Sequence, residues 1–567
     1  MKKMLNLLAA LTVGVSTTSS VVACKSKVED FKVVKAIELV NSTVDNNSGS
    51  SEKTEKYLNK FHVNTPSNMP VVDENGIETA GGMLNDIQGG FYDAVNKEWN
   101  VYFLYNHEIR YDENGGNNDR NGTIWYRVTT KDWIHWDYKG EAVSKYVTDW
   151  GDAASGSLYE DKDGDFAQAA IDAKIEGVTT DTKGYVAFTT GYGGDKGQNI
   201  LASYSIDGAK FETLNDKQPI LQNGKKPGTY PNFRDPFVFK KDNKFYMYVS
   251  EDDHFGVYES EKALGEYKHV GDYTPLHRMI ECANLYEMNV TDENGKTESK
   301  WVMIYGGNGN NENGRPDKMD KLGTGTYYSV GHLNEKNVFV EEQEAKRLDF
   351  GADFYASKFW QDPTATDQKD YLIGTGWMSS WDYNTKTPNE GKWGNMSLAR
   401  KVSLTKTGDE YGMTSSFLGL DDAEMTSSGD EEVLAKAKLS DRNFKLDLEL
   451  KNVDTISNIT EFSIGDNFNS NKIRLNFNKN TIHSIRTINY KPLKNNKGYT
   501  QLRKYAADIK GLDTVKIEFI IDTTTIEAIM PDGSVISMIK FPEEVSPETI
   551  KLSSSSELNL TYKYYKL

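Results

Sequence analysis

Apolar residues in this chain come in runs too short for helices. From about residue 61 they cluster as Tyr185-Val-Ala-Phe188, Phe245-Tyr-Met-Tyr-Val249, Trp301-Val-Met-Ile-Tyr305 and Tyr371-Leu-Ile373, with Gly, Asn and Asp between them. A helix needs ten or more residues at a 3.6 period to bury a face, whereas a strand does so in four to eight. Cores must therefore be built from sheet, and short strands with frequent turn signals predict an all-β propeller or sandwich. After about residue 405 the pattern shifts. Phe444-Lys-Leu-Asp-Leu-Glu-Leu450 and Ile473-Arg-Leu-Asn-Phe477 alternate strictly, which predicts strands with one buried and one wet face, as in an antiparallel sandwich. All 10 tryptophans lie between Trp99 and Trp393, so aromatic binding platforms belong to the first region. At 567 residues two or more domains are expected. The boundaries read as a first domain over 61–405, a linker over 406–435 and a second domain over 436–567.

The start of the chain reads as an export signal. Two lysines precede an apolar run from Leu5 to Val15, then small residues up to Ala23. Val21-Val-Ala-Cys24 resembles the lipobox of bacterial lipoproteins, in which the cysteine is lipidated. Residues 1–23 are then a signal peptide, 24–60 a polar tether, and the protein sits lipid-anchored at the extracellular face of the cell membrane. The chain has only two cysteines, Cys24 and Cys282, so a disulfide framework is excluded. A net charge of −18 repels phosphate backbones and argues against a nucleic-acid partner.

Three short carboxylate motifs lie beside apolar or aromatic residues rather than in charge runs: Leu84-Asn-Asp-Ile-Gln-Gly89, Phe233-Arg-Asp-Pro236 and Ile280-Glu-Cys282. Further motifs follow in a fixed order: Ser155-Gly-Ser157, Asp349-Phe-Gly-Ala-Asp-Phe-Tyr-Ala356, Gly376-Trp-Met378 with Trp381 and Tyr383, Trp393 to Arg400, and Asp522-Thr-Thr-Thr-Ile-Glu527 with Asp532-Gly533. Together they resemble glycoside hydrolase family 32, the invertases, levanases and inulinases, from about residue 75 to the end. The resemblance implies a five-bladed β-propeller followed by a C-terminal β-sandwich, acting on β-fructosidic bonds in fructans such as levan or inulin, or in sucrose.

Carried over residue by residue, the resemblance makes Asp86 the nucleophile, Asp235 the transition-state stabiliser and Glu281 the general acid/base. Cleavage of a fructosidic bond develops oxocarbenium character, which calls for a carboxylate on one face and an acid at the leaving oxygen. Asp86 stays ionised if backbone N–H groups bond it. No metal or cofactor is required. Asn85, Gln88, Trp125, Ser157, Arg234, Tyr355 and Trp377 are expected to bind substrate, and Cys282 to be a buried packing residue. Asp161-Lys-Asp-Gly-Asp165 reads as a solvated turn, since its glycine is out of register with a calcium loop. Met83, Ile87 and Gln88 depart from the family's Trp, Pro and Asn, and the Asn-Asp-Ile-Gln form resembles a levanase-type branch. A fructosyltransferase, an inverting arabinanase- or xylosidase-like hydrolase and a non-catalytic fructan-binding lipoprotein remain open readings.

Overall fold

The computed structural model describes residues 30–42, 56–72, 76–112, 114–118, 122–145, 149–193, 197–223, 231–307, 324–421, 423–437, 439, 442–466, 468–542 and 548–567. Cys24 and the segment 1–23 lie outside the described residues.

Among the described residues, five antiparallel sheets have as their innermost long strands Gly82–Asp93, Gly151–Asp161, Phe233–Lys241, Ile280–Thr291 and Tyr355–Gln361. These five inner strands pack side by side in chain order, and the fifth returns against the first, which closes a propeller ring. The short strand Lys392–Trp393 runs parallel to the first inner strand, pairing Lys392 with Gly82, and fastens the closure. Each blade is covered on both faces by its neighbours, so a middle strand such as Glu98–Asn106 is buried from Trp99 to Asn106. That is why the sequence shows short continuous apolar runs here rather than alternation.

All five inner strands break register near their first residues. The shifts fall between Leu84 and Ile87, Ala154 and Gly156, Arg234 and Phe237, Glu281 and Asn284, and Tyr355 and Lys358. At three of them a non-glycine residue takes left-handed backbone: Asp235 (φ 58°), Cys282 (φ 56°) and Ala356 (φ 46°). Such bulges re-aim side chains and cost roughly 1–3 kcal/mol each where the backbone is strained. Their stacking round one ring turns the adjacent side chains toward the axis.

The second body is a pair of six-stranded sheets. The alternation read from the sequence is realised: Phe444, Leu446, Leu448 and Leu450 are buried in a core with Phe462, Ile473, Leu475 and Phe519, while Lys445, Asp447 and Glu449 are half-exposed. Two boundaries differ from the sequence reading. Lys35–Ser42, inside the expected tether, is an edge strand of the sandwich and pairs antiparallel with Glu548–Ser554. Its buried Ile37, Leu39 and Val40 are diluted by polar neighbours, which hid the pattern. The expected linker is also largely strand. Arg400–Thr407 and Glu410–Phe417 complete the fifth blade, and Glu424–Asp430 is a sandwich edge. Of the polar residues there, Ser427 to Asp430 lie in the edge strand Glu424–Asp430.

Propeller and sandwich meet through buried charge. Arg400 bonds Asp349 and Glu527, each at 2.8 Å. His62 lies between Asp522 and Glu527, at 2.9 Å from each. Arg486 reaches from the sandwich to Asp353 at 2.6 Å.

Candidate functional site

The bulges bring Asp86, Asp235 and Glu281 to the floor of one cavity of about 720 Å3 at an end of the ring. The first, third and fourth inner strands contribute one carboxylate each. Met83, Asn106, Tyr111, Tyr192, Asn232 and Trp381 are among the residues that line its walls.

Each carboxylate has its own environment. Asp86 accepts from Asn85 Nδ2 (3.0 Å) and from Ser155 Oγ (2.5 Å). These donors are side chains, not the backbone N–H groups expected from sequence. Burial, then the charges of Asp235 and Glu281, push the Asp86 carboxyl up to about 7, and the two hydrogen bonds oppose that shift. Asp235 is buried. Its Oδ2 accepts from the Cys282 backbone N–H (3.1 Å) and thiol (3.5 Å), while its Oδ1 has no partner among the described residues. Burial and the neighbouring Glu281 raise its pKa as well. Glu281 Oε1 accepts from Arg234 Nε (3.1 Å) and Nη2 (2.7 Å), and Oε2 from the Tyr355 hydroxyl. Gly306, opposite Glu281 in the hairpin, leaves room for that tyrosine: a Cβ there would lie 3.1 Å from the Tyr355 ring. Burial pushes the Cys282 thiol well up, so it is a neutral donor rather than a nucleophile.

The remaining expected binding residues divide. Asn85 and Arg234 line the cavity, and Tyr355 touches Glu281. Gln88 does not reach the cavity. Its amide bonds the Asp86 carbonyl (2.8 Å) and the Gly156 N–H (2.6 Å), which ties the first two inner strands together. Trp125 is fully buried between blades and donates to Ala154 O at 3.0 Å. Trp377 is fully buried behind Trp381, with ring centroids 4.8 Å apart, and Trp381, 41% exposed, forms the wall. Ser157 is buried outside the cavity, and Ser155 is the serine that meets Asp86. A bulge between Ala154 and Gly156 interrupts the period of two between the two serines. Trp381 had a signal, its place in the Gly-Trp-Met segment; Tyr111, Tyr192 and Asn232 had none short of the fold. Asp161 accepts the N–H groups of Asp165 and Phe166, so the calcium-like fragment is a self-bonded turn.

A burial-poised carboxylate, a second with a free oxygen and a third gripped by Arg and Tyr suit acid–base and nucleophilic work on a polar substrate. Comparison with known proteins agrees. Residues 77–414 match the model of the glycosyl hydrolases family 32 N-terminal domain. A levanbiose-producing levanase of Geobacillus stearothermophilus is 30% identical over 326 residues, covering 56% of this chain and 73% of that one. One from Bacillus subtilis (strain 168) is 29% identical over 337 residues, covering 58% of each chain. The crystal structure of exo-inulinase from Aspergillus awamori superposes with a TM-score of 0.70 at 18% identity, covering 91% of this chain and 99% of that one, and so shares the fold. With most of the first domain matched to its model, the chain belongs to glycosyl hydrolase family 32.

Proposed function

We propose that this chain is a retaining β-fructosidase that hydrolyses β-D-fructofuranosidic bonds in fructans. The observation that carries the reading is the convergence of Asp86, Asp235 and Glu281 on one cavity floor, with Arg234 and Tyr355 orienting Glu281. Asp86 attacks the anomeric carbon of the fructosyl unit while Glu281 gives its proton to the departing oxygen. Glu281 then takes a proton from water, which attacks the fructosyl-enzyme and frees Asp86. Asp235 stabilises the charge that develops in each transition state, its Oδ1, without a partner among the described residues, being available for substrate hydroxyls. Asn85 and Trp381 complete the wall around the sugar. The two levanase relatives support a levan-type fructan over sucrose.

The test is product analysis by NMR after incubation with levan, inulin and sucrose. Release of fructose or fructo-oligosaccharide with retained configuration is expected, and inverted product defeats the reading. Asp86→Ala should abolish turnover of every fructoside. Glu281→Ala should lose natural fructans yet retain the first step with an activated leaving group, with azide trapping the fructosyl-enzyme. Equal loss on both substrates without an azide product removes Glu281 from the acid/base role. The Val21-Val-Ala-Cys24 run supports an enzyme anchored through Cys24 at the outer face of the cell membrane. A Cys24→Ser variant that partitions into detergent as well as the parent does would defeat that part.

A further inference from the structure

A lysine out of water is costly unless something compensates its charge. Lys358 is 2% exposed, on the fifth inner strand at the end of its bulge. An ammonium has three donors, and among the described residues one hydrogen bond is seen, from Nζ to Ala283 O at 3.0 Å. No carboxylate of the described residues lies within ion-pair distance. The group is nonetheless surrounded by the site. Ala283 follows Cys282, whose N–H and thiol hold Asp235. Phe237, over which Nζ stands at 6.0 Å, lies two residues beyond Asp235. Tyr355, three residues before Lys358 on the same bulge, donates to Glu281.

The charges facing this point come from four inner strands. Asp86 belongs to the first, Arg234 and Asp235 to the third, Glu281 and Cys282 to the fourth, and Tyr355 to Lys358's own strand. Cys282 and Tyr355 are kept neutral by burial. Arg234 is committed to Glu281 by two N–H groups. That leaves the carboxylates of Asp86 and Asp235 without an ion-paired cation among the described residues, and Lys358 as a buried cation on the inner strand that packs against those of Asp86 and Glu281.

We propose that Lys358 is a positioning residue: its buried ammonium, held on Ala283 O, is the counter-charge that keeps Asp86 and Asp235 available as carboxylates. Burial draws the lysine's own pKa down, while the Asp235 and Asp86 carboxylates act on it in the opposite sense. A lysine that only filled space would serve as well without its charge.

The inference rests on Asp86 being the nucleophile, and the test keeps the two apart. The pH profile of kcat/KM is measured for the parent, Lys358→Met and Lys358→Arg with 4-nitrophenyl β-D-fructofuranoside. Its acid limb reports ionisation in the free enzyme. In Lys358→Met the acid limb should move up by about one unit, a roughly tenfold loss at pH 6 that narrows above pH 8. Lys358→Arg, which keeps the charge, should leave the limb near the parent's. A Lys358→Met profile scaled down equally at every pH, or superimposable on the parent's, overturns the proposal, as does a Lys358→Arg limb displaced as far as that of Met. Should Lys358→Met not fold, Lys358→Gln, which can still bond Ala283 O, carries the same comparison. A parent that hydrolyses no fructoside refutes the proposed function; a parent that does, with no limb shift in the variants, refutes this inference alone.

Discussion

His62 offers a direct reading of how the two bodies are held together. Its side chain is fully buried, with Nδ1 2.9 Å from Asp522 and Nε2 2.9 Å from Glu527. Burial by itself would lower the imidazole's pKa, but the two hydrogen bonds and the two charges outweigh it and raise it to about 9 from 6.5. At about 1.4 kcal/mol per unit, that shift corresponds to about 3 kcal/mol of folding free energy. Because the folded value is raised, the contribution is fully present below pH 6.5 and is lost as pH climbs through 9. His62→Gln keeps a donor but no charge. Urea unfolding, followed by circular dichroism and tryptophan fluorescence, should find the variant about 3 kcal/mol less stable than the parent at pH 6, with the gap shrinking toward pH 10. His254, also raised to about 9, titrates in the same window, but it is common to both proteins and cancels in the difference. A parent-minus-variant difference that stays constant from pH 6 to pH 10 would refute the claim that His62 is charged in the folded state.

Ser155→Ala removes the 2.5 Å bond to Asp86 and with it part of what favours the carboxylate, so the acid limb of kcat/KM should rise by about one pH unit. An unmoved limb would show that the serine does not bond the ionised form. Gly306→Ala places a methyl 3.1 Å from the Tyr355 ring. It should lower kcat on fructans severalfold while KM changes little, and a change confined to KM would count against the Tyr355–Glu281 contact. Gln88→Ala should leave KM for fructans near the parent's and lower stability by about 1–3 kcal/mol, because two buried backbone groups lose their partner. A rise in KM without destabilisation would return Gln88 to the binding site.

What was legible in the sequence follows from which physical signals are local. Strict alternation in Phe444–Leu450 depends only on one strand having one wet face, and it survives into the structure. The three carboxylates were picked out by the order of their short motifs and the family resemblance that order carries, and the structure brings them to one cavity. The errors share a cause. Ser157 was carried over from the family's Ser-Gly-Ser motif, whereas across the bulge beside it Ser155 is the serine that meets Asp86. Trp125 and Trp377 were assigned to the pocket because an aromatic on a blade can face either the axis or the next blade, and only packing decides. The edge strands Lys35–Ser42 and Glu424–Asp430 look like tether and linker because an edge shows water more of its surface than a central strand does.

Two groups of buried acids in this protein were equally conspicuous in sequence, yet their chemistry is opposite. At the interface every carboxylate oxygen is taken. Asp349 accepts from Arg400, Ser537 and the Gly351 N–H. Glu527 accepts from Arg400, His62 and the Leu398 N–H. Asp522 accepts three successive N–H groups, from Lys60, Phe61 and His62. Burial pushes the Asp522 carboxyl up, but His62 and those N–H groups prevail and hold it at about 2. On the pocket floor the balance falls the other way. Asp86 has two side-chain donors and two like charges, and its carboxyl is held at about 7. Asp235 keeps one buried oxygen without a partner among the described residues. A carboxylate whose lone pairs are all filled has nothing left to offer a substrate, and removing its partners only unlatches the domains. One left partly unsatisfied is costly to the fold and is kept where a reacting group can complete it. By that criterion Asp349, Asp353, Asp522 and Glu527 belong to architecture, whereas Asp235 keeps an oxygen that a substrate hydroxyl could complete.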